Sequence, residues 1–206
     1  MNLERLRTAE MAFLERYPGG FQNPEMVEVG KKFNVAKHSE QTKLLLSKDA
    51  FKQTKPVLES LTKIVSRSAM VSMFEKPKFR DYVNGLSRDD REYLAGGFKE
   101  MLHYKNQERG FNKVLDVLSE GKLAKWSLMT ICLYHMRPEQ EVFVKPTTTK
   151  RVISYLELAD LEYKPRPSWE FYENYREAIN SMKGKVDSSL GPDNAAFTGF
   201  LMITLG

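Results

Sequence analysis

Apolar residues recur three and four positions apart along most of the chain, which is the pattern of helices with one buried face. Residues 57–65 form the clearest stripe of this kind, and residues 123–133 are apolar on almost every side. A helix without a polar face is normally central and buried. The pattern predicts a mainly α-helical fold of about nine to eleven helices in one domain, residues 1–206, with its weakest seam near residues 137–140.

Polar residues that cap helices mark several of the predicted boundaries. Asn23 before Pro24, Ser87 before two aspartates, Ser168 and Asp193 each precede a helical stretch. Their side-chain oxygens suit the unpaired N–H groups of a first turn. In the helix after Ser87, Gly96-Gly97 costs helical stability, so we expect a neighbouring helix to approach closely there.

The last third of the chain contains two short segments that favour strands over helices. Val142–Val144 is apolar and rich in β-branched residues, and Leu161–Tyr163 is a second short apolar stretch. If they pair, the helical domain acquires one two-stranded β element around the helix that lies between them.

Composition narrows the class of protein further. The chain has one cysteine, a net charge of +5 and a pI of about 9.1, and the basic excess is spread over residues 1–135. The sequence contains neither a long apolar run nor a signal-peptide pattern, which predicts a cytoplasmic protein without a membrane partner. Two interpretations of the charge remain open, a mildly basic solvated surface and a face for nucleic acid.

The residue types that carry common chemistry do not form a recognisable motif. His38, His103 and His135 are too far apart, and too isolated from other ligands, for a zinc site, so we predict no metal and no cofactor. Cys132 lies between apolar neighbours and is expected to be a buried structural thiol. No catalytic residue can be named, and the chain is more typical of a non-enzyme.

One basic turn is the best candidate for a site. Lys145, Thr147, Thr148, Lys150 and Arg151 leave the first predicted strand and enter a predicted helix with no acidic residue among them. Unpaired N–H groups, threonine hydroxyls and three cations would together bind an anion. The alternative is that Thr147 or Thr148 only caps the helix while the basic residues are solvated.

Other basic residues could extend this turn or form a second site. Arg137, Lys164 and Arg166 would join the turn if the two short strands pair. A weaker candidate is the polar, basic run Ser66-Arg67-Ser68, which lies between two apolar stretches.

Aromatic residues follow the turn in the sequence. Trp169, Phe171, Tyr172 and Tyr175 could stack on bases, although the spacing of Tyr172 and Tyr175 favours a core position for those two.

Residues 122–204 also carry a pattern of motifs. Trp126 lies in the apolar helix, Phe143-Val144-Lys145-Pro146 follows it, and Tyr163 precedes Pro167 by four positions. This pattern resembles a family of bacterial proteins of unknown function that combine a tryptophan-containing helix with Phe-x-Lys-Pro and Tyr-x-x-x-Pro motifs. The resemblance implies no activity, and no functional residue follows from it.

Three functions are consistent with these observations. The leading hypothesis is a non-enzymatic cytosolic binding protein that engages nucleic acid or a phosphorylated ligand at residues 145–151. The second is an enzyme with an unrecognised pocket between helices. The third is a structural protein or homodimer that binds through an apolar surface.

Overall fold

The computed structural model describes residues 1–204, and this part of the chain forms eleven α-helices and three short 3-10 helices. The α-helices are α1 (Leu3–Arg16), α2 (Pro24–Phe33), α3 (Val35–Leu45), α4 (Thr54–Arg67), α5 (Glu75–Gly85), α6 (Arg88–His103), α7 (Gln107–Glu120), α8 (Trp126–Met136), α9 (Pro146–Tyr155), α10 (Trp169–Lys183) and α11 (Asn194–Thr204). The 3-10 helices are Gly20–Gln22, Ala50–Lys52 and Ser188–Leu190. The prediction of a mainly helical protein is confirmed.

Each predicted capping residue occupies the expected position. Asn23 accepts a hydrogen bond from the backbone N–H of Glu25, directly before the proline that opens α2. Ser87 and Ser168 cap α6 and α10 in the same way. The Asp193 carboxylate accepts from the N–H groups of the second and third residues of α11. Local sequence therefore determines these helix starts.

Helix α8 is the centre of the core, as its apolar composition predicts. Every residue from Trp126 to Met136 except Ser127 is buried. The helix packs against α3, α4, α6 and α7, and the buried apolar residues of these helices belong to one core cluster that extends to α10 and α11. Cys132 is fully buried, which confirms its predicted structural role and raises the pKa of the thiol to about 12.

Helices α6 and α7 approach each other closely at two glycines. A Cβ atom on Gly97 would lie 2.9 Å from the Cβ of Lys113, and one on Gly110 would lie 2.2 Å from the backbone nitrogen of Met101. By contrast, a Cβ on Gly96 would have no neighbour within 4 Å. The predicted close approach is confirmed, and Gly97 is the member of the pair that allows it.

The two-stranded β element is not formed, because no strand occurs among residues 1–204. Val142–Val144 is buried, but side chains rather than a second strand accept hydrogen bonds from two of its backbone N–H groups. The N–H of Val144 donates to the Thr130 hydroxyl at 3.1 Å, and the N–H of Val142 donates to the Tyr172 hydroxyl at 3.4 Å. These contacts from α8 and α10 replace the ladder that the apolar segment suggested.

None of the helices described has the length and the apolar character needed to cross a bilayer.

Candidate functional site

The predicted basic turn forms the start of α9. Lys145 occupies the N-cap position, Pro146 is the first helical residue, and the N–H of Thr149 donates to the Lys145 carbonyl oxygen at 2.9 Å. Thr147 and Thr148 therefore lie inside the first turn, and neither is the cap. Their N–H groups belong to those that a helix start leaves without an intrahelical acceptor.

Helical spacing places part of the predicted set on one face of α9. Thr147, Lys150, Arg151 and Ser154 follow one another at intervals of three, one and three residues, so their side chains leave the helix on the same side. All four residues are exposed, whereas Thr149 between them is buried. Lys145 is exposed at the end of this face.

A residue from the other end of the chain completes this face. Arg5, on α1, lies with Lys150, Arg151, Ser154 and Tyr155 around a shallow open groove of about 410 Å³. We call this feature the α1–α9 groove. Three of its five lining residues are cations and none is acidic. Lys145, Thr147 and Thr148 lie outside it, so the structure divides the predicted site between the groove and the helix start.

Several polar contacts hold Arg5 in place. Its Nη1 donates to the Tyr155 carbonyl oxygen at 2.9 Å, and its Nη2 lies 3.1 Å from the Glu157 carboxylate. The guanidinium carbon is 5.6 Å from the centroid of the Tyr155 ring. The N–H of Asn2 donates to the Leu156 carbonyl oxygen at 2.7 Å, so the first turn of α1 is docked on the end of α9.

Lys150 contacts an aromatic ring outside α9. Its Nζ lies 5.1 Å from the centroid of Tyr163, a distance typical of a cation–π contact. Tyr163 belongs to the extended segment before α10. A cation–π contact does not neutralise the positive charge of Lys150.

Two of the basic residues that would join the turn if the short strands paired have ion-pair partners of their own. Arg137 is on the C-terminal side of α8, where its Nη2 lies 2.7 Å from the Glu141 carboxylate and its Nη1 donates to the Leu102 carbonyl oxygen. Lys164 pairs with Glu162 at 3.5 Å. The strand pairing on which this expectation depended does not form, and Arg137 is part of the contacts around Glu141.

The predicted stacking residues belong to the interior. Trp169, Phe171, Tyr172 and Tyr175 are all buried. They pack on one another and on Phe111 and Trp126. The core interpretation of Tyr172 and Tyr175 is confirmed, and Trp169 and Phe171 share it.

A buried ionic cluster near α10 is the main polar feature that sequence reasoning missed. Glu141 is only 2% exposed, yet its carboxylate accepts hydrogen bonds from Arg137, Arg176, Tyr172 and Gln107 at 2.7 to 3.2 Å. Burial would raise the pKa of Glu141, but the charges and hydrogen bonds of the two arginines outweigh it and hold the pKa below its ordinary value. Only the spacing of Arg137 and Glu141, one helical turn apart, hinted at this cluster.

A second shallow groove, of about 430 Å³, lies over this cluster. Its walls are Gln107, Arg137, Gln140, Glu141, Arg176 and Asn180. The carboxylate of Glu141 is already surrounded by donors, and the Arg176 guanidinium packs over the rings of Trp169 and Tyr172. The contacts of Glu141 therefore join the end of α8, the start of α7 and the middle of α10. Its carboxylate is not free to act as a general base.

The buried histidine on α8 also lacks the features of a catalytic base. His135 is 1% exposed, a hydrogen bond of 3.1 Å joins its Nε2 to the Ser68 hydroxyl, and its ring stacks on His38. Burial, followed by the nearby His38, lowers the pKa of His135 to about 3. Ser68 is fully buried, whereas Arg67 beside it is exposed. In the weaker candidate at residues 66–68, Ser66 and Arg67 are therefore exposed and Ser68 belongs to the core.

Across residues 1–204, histidine, cysteine and acidic side chains nowhere gather in threes to hold a metal ion.

Neither models of protein families, nor curated protein sequences, nor solved structures gave a match to this chain. The resemblance of residues 122–204 to a bacterial family stays a prediction.

Proposed function

We propose that this protein is a non-enzymatic binding protein that holds a phosphate-bearing partner in the α1–α9 groove. The observation that carries the proposal is the convergence of Arg5, Lys150 and Arg151 on one groove whose described lining contains no carboxylate, and of these three only Arg5 has an ion-pair partner, Glu157. Lys150 and Arg151 are neighbours in the sequence, and the fold brings Arg5 to them from the first helix. Concentrated positive charge of this kind attracts polyanions and steers their approach.

The shape of the groove favours an extended partner over an enclosed small molecule. Small-molecule sites bury most of their ligand in a deep, largely apolar cavity, whereas this groove is shallow and open. Lys145 and Thr147 continue the polar face of α9 beyond it. A nucleic-acid backbone could follow this line of cations with successive phosphates, so nucleic acid is the partner we favour among phosphorylated ligands. The single buried thiol supports a reducing cytosol as the site of action.

A salt-dependent binding titration tests this proposal. We expect fluorescence anisotropy to detect binding of labelled oligonucleotides at low salt, with an affinity that falls steeply as salt rises because bound counterions are released. The double variant Lys150→Glu, Arg151→Glu should lose this binding. The matched control is Lys55→Glu, Lys105→Glu, which makes the same charge change at two exposed positions elsewhere.

Two results would overturn the proposal. The first is the absence of salt-sensitive binding to any single-stranded or double-stranded oligonucleotide. The second is binding that the Lys150→Glu, Arg151→Glu variant retains as fully as the control variant does. Binding of inorganic polyphosphate alone, lost in the same variant, would keep the site and change its ligand.

The second candidate function, an enzyme with a pocket between helices, rests on the groove over Glu141. Its polar walls converge from α7, α10 and the segment after α8. Ligand-induced thermal stabilisation tests this candidate, with Asn180→Leu as the variant that fills the groove. A small polar molecule that raises the Tm of the wild type and not of Asn180→Leu would favour it.

A further inference from the structure

The turn between α4 and α5 displays two adjacent apolar side chains to solvent. Met73 is 77% exposed and Phe74 is 78% exposed, and they are the two most exposed large hydrophobic residues in the part of the chain that the structure describes. Leu44 and Met11 reach similar exposure, but each is separated in sequence from any comparable residue. An exposed apolar residue is common, whereas two side by side at the tip of a turn are not.

The turn is held by its own hydrogen bonds. The Ser72 hydroxyl accepts from the N–H of Phe74 at 3.3 Å, and the Ser72 carbonyl oxygen accepts from the N–H groups of Glu75 and Lys76. Val71 before the turn and Phe79 after it are buried in the core. Met73 and Phe74 are thus presented by an anchored backbone.

The surface around this turn is basic. Lys78 and Arg67 are exposed and Lys76 is half-buried. Lys37, Arg67 and Lys76 all lie close enough to His38 that, after burial, their charges lower its pKa. These three cations, from α3, α4 and α5, therefore lie near the same histidine.

Two acidic residues follow the turn in the sequence, and each makes a polar contact. Glu75 accepts a hydrogen bond of 2.5 Å from the Ser127 hydroxyl, which turns its carboxylate toward α8. Asp81 pairs with Arg80 at 2.8 Å. A hydroxyl donor does not neutralise Glu75, so residues 67–81 carry four cations against two carboxylates, a net charge of +2.

We propose that the α4–α5 turn docks the protein on an anionic lipid bilayer, with Met73 and Phe74 inserted at the interface and Arg67, Lys76, Lys78 and Lys37 against the lipid phosphates. Stable attachment to a membrane surface takes two weak signals, and an apolar insertion beside a basic patch supplies both. The proposal does not depend on the α1–α9 groove. It also needs no membrane-spanning helix. The prediction of no membrane partner was based on the lack of a long apolar run in the sequence.

The shape of the turn favours lipid over nucleic acid as the occupant. Nucleic-acid surfaces that lack sequence preference use aromatic rings along a groove, on which bases stack in succession. Here a single ring stands beside a methionine, which has no flat face, on a protruding turn. Flexible apolar side chains at a protruding tip match the disordered interface of a bilayer.

Sedimentation with vesicles tests the proposal. We expect the wild type to bind vesicles that contain phosphatidylserine, to bind pure phosphatidylcholine weakly, and to dissociate at high salt. Met73→Ser with Phe74→Ser should weaken binding by about tenfold or more, because two side chains lose their transfer from water. Lys76→Glu with Lys78→Glu should weaken it at least as much.

Matched controls separate insertion from general surface effects. Met11→Ser removes a similarly exposed apolar side chain on α1 and should bind vesicles like the wild type. Lys150→Glu with Arg151→Glu should also bind vesicles normally, so the two proposed sites can fail independently. Phe74→Trp adds an exposed indole to the buried Trp126 and Trp169, and its emission should shift to the blue on vesicle binding.

Three outcomes would overturn the proposal. They are no binding to phosphatidylserine vesicles, equal binding by the Met73→Ser, Phe74→Ser double variant and the Met11→Ser control, and an unshifted Phe74→Trp spectrum. Oligonucleotide binding that is lost in the Phe74→Ser variant, without vesicle binding, would assign the turn to nucleic acid instead.

Discussion

Arg5 and Tyr155 are 150 positions apart in the sequence, yet the Arg5 guanidinium donates to the Tyr155 carbonyl oxygen at 2.9 Å and lies over its ring. The contact fixes the first turn of α1 against the end of α9. It also brings a third cation to the face that carries Lys150 and Arg151. The groove therefore depends on how the first helix docks, and this dependence can be tested one charge at a time.

Replacing Arg5 should change the salt dependence of oligonucleotide binding in a defined way. If Arg5 contacts one phosphate, Arg5→Gln should reduce the slope of log K against log salt by about 0.9 for duplex DNA. Arg7→Gln, two residues away on the same exposed helix, is the control and should leave the slope unchanged. Equal slopes for the two variants would remove Arg5 from the site.

Neutralising Glu141 should destabilise the protein strongly. Glu141→Gln leaves Arg137 and Arg176 without their shared carboxylate in a buried setting, and we expect a loss of about 3–5 kcal/mol in the free energy of unfolding. Urea denaturation measures this loss. Glu139→Gln, exposed and two residues earlier, should change it by less than about 0.5 kcal/mol.

A double variant tests whether the loss comes from unpaired charge. Glu141→Gln combined with Arg176→Gln should be less destabilised than the sum of the two single variants, because it removes both members of the pair. Simple additivity would mean that the two residues act separately.

Acidification should weaken the fold through His135. The pKa of His135 is about 3 in the folded protein and about 6.5 when unfolded, so between these values the unfolded chain binds more protons. Stability is therefore full above pH 6.5 and falls as pH decreases toward 3. Between pH 6.5 and 5 this residue should remove about 1.5 kcal/mol from the free energy of unfolding.

The variant His135→Gln should flatten this part of the pH profile. Glu141 contributes mainly at lower pH, because folding lowers the pKa of its carboxyl further below the ordinary range through Arg176 and Arg137. His38 and His103 have lowered pKa values as well and contribute in the same direction, so some slope should remain. A slope identical to that of the wild type would show that folding does not lower the pKa of His135.

The two neighbouring glycines of α6 should respond oppositely to the same substitution. Gly96→Ala meets no atom within 4 Å and should stabilise the helix by about 0.5–1 kcal/mol. Gly97→Ala places a methyl group 2.9 Å from Lys113 and should cost about 1–3 kcal/mol as α6 and α7 separate. Thermal unfolding of both variants measures the difference. The same sign for both would contradict the close packing at Gly97.

The helical core was predictable because its signals are local. Residues 126–136 leave almost no polar face, and burial in the centre is the only arrangement that removes that much apolar surface from water. Caps such as Asp193 act on the N–H groups directly after them, so their roles also follow from a few neighbouring residues.

The sequence alone therefore determined the helical class, most helix starts, the central α8 and the inert character of Cys132. Only the tertiary structure decided that Val142–Val144 would bond to Thr130 and Tyr172 rather than to a strand, since the segment's apolar pattern does not specify its partner. It also decided that Arg137 would bind Glu141 and that Arg5 would join α9. Charged groups and backbone donors interact with whichever partners lie close in space. Packing between helices that are remote in sequence sets those distances.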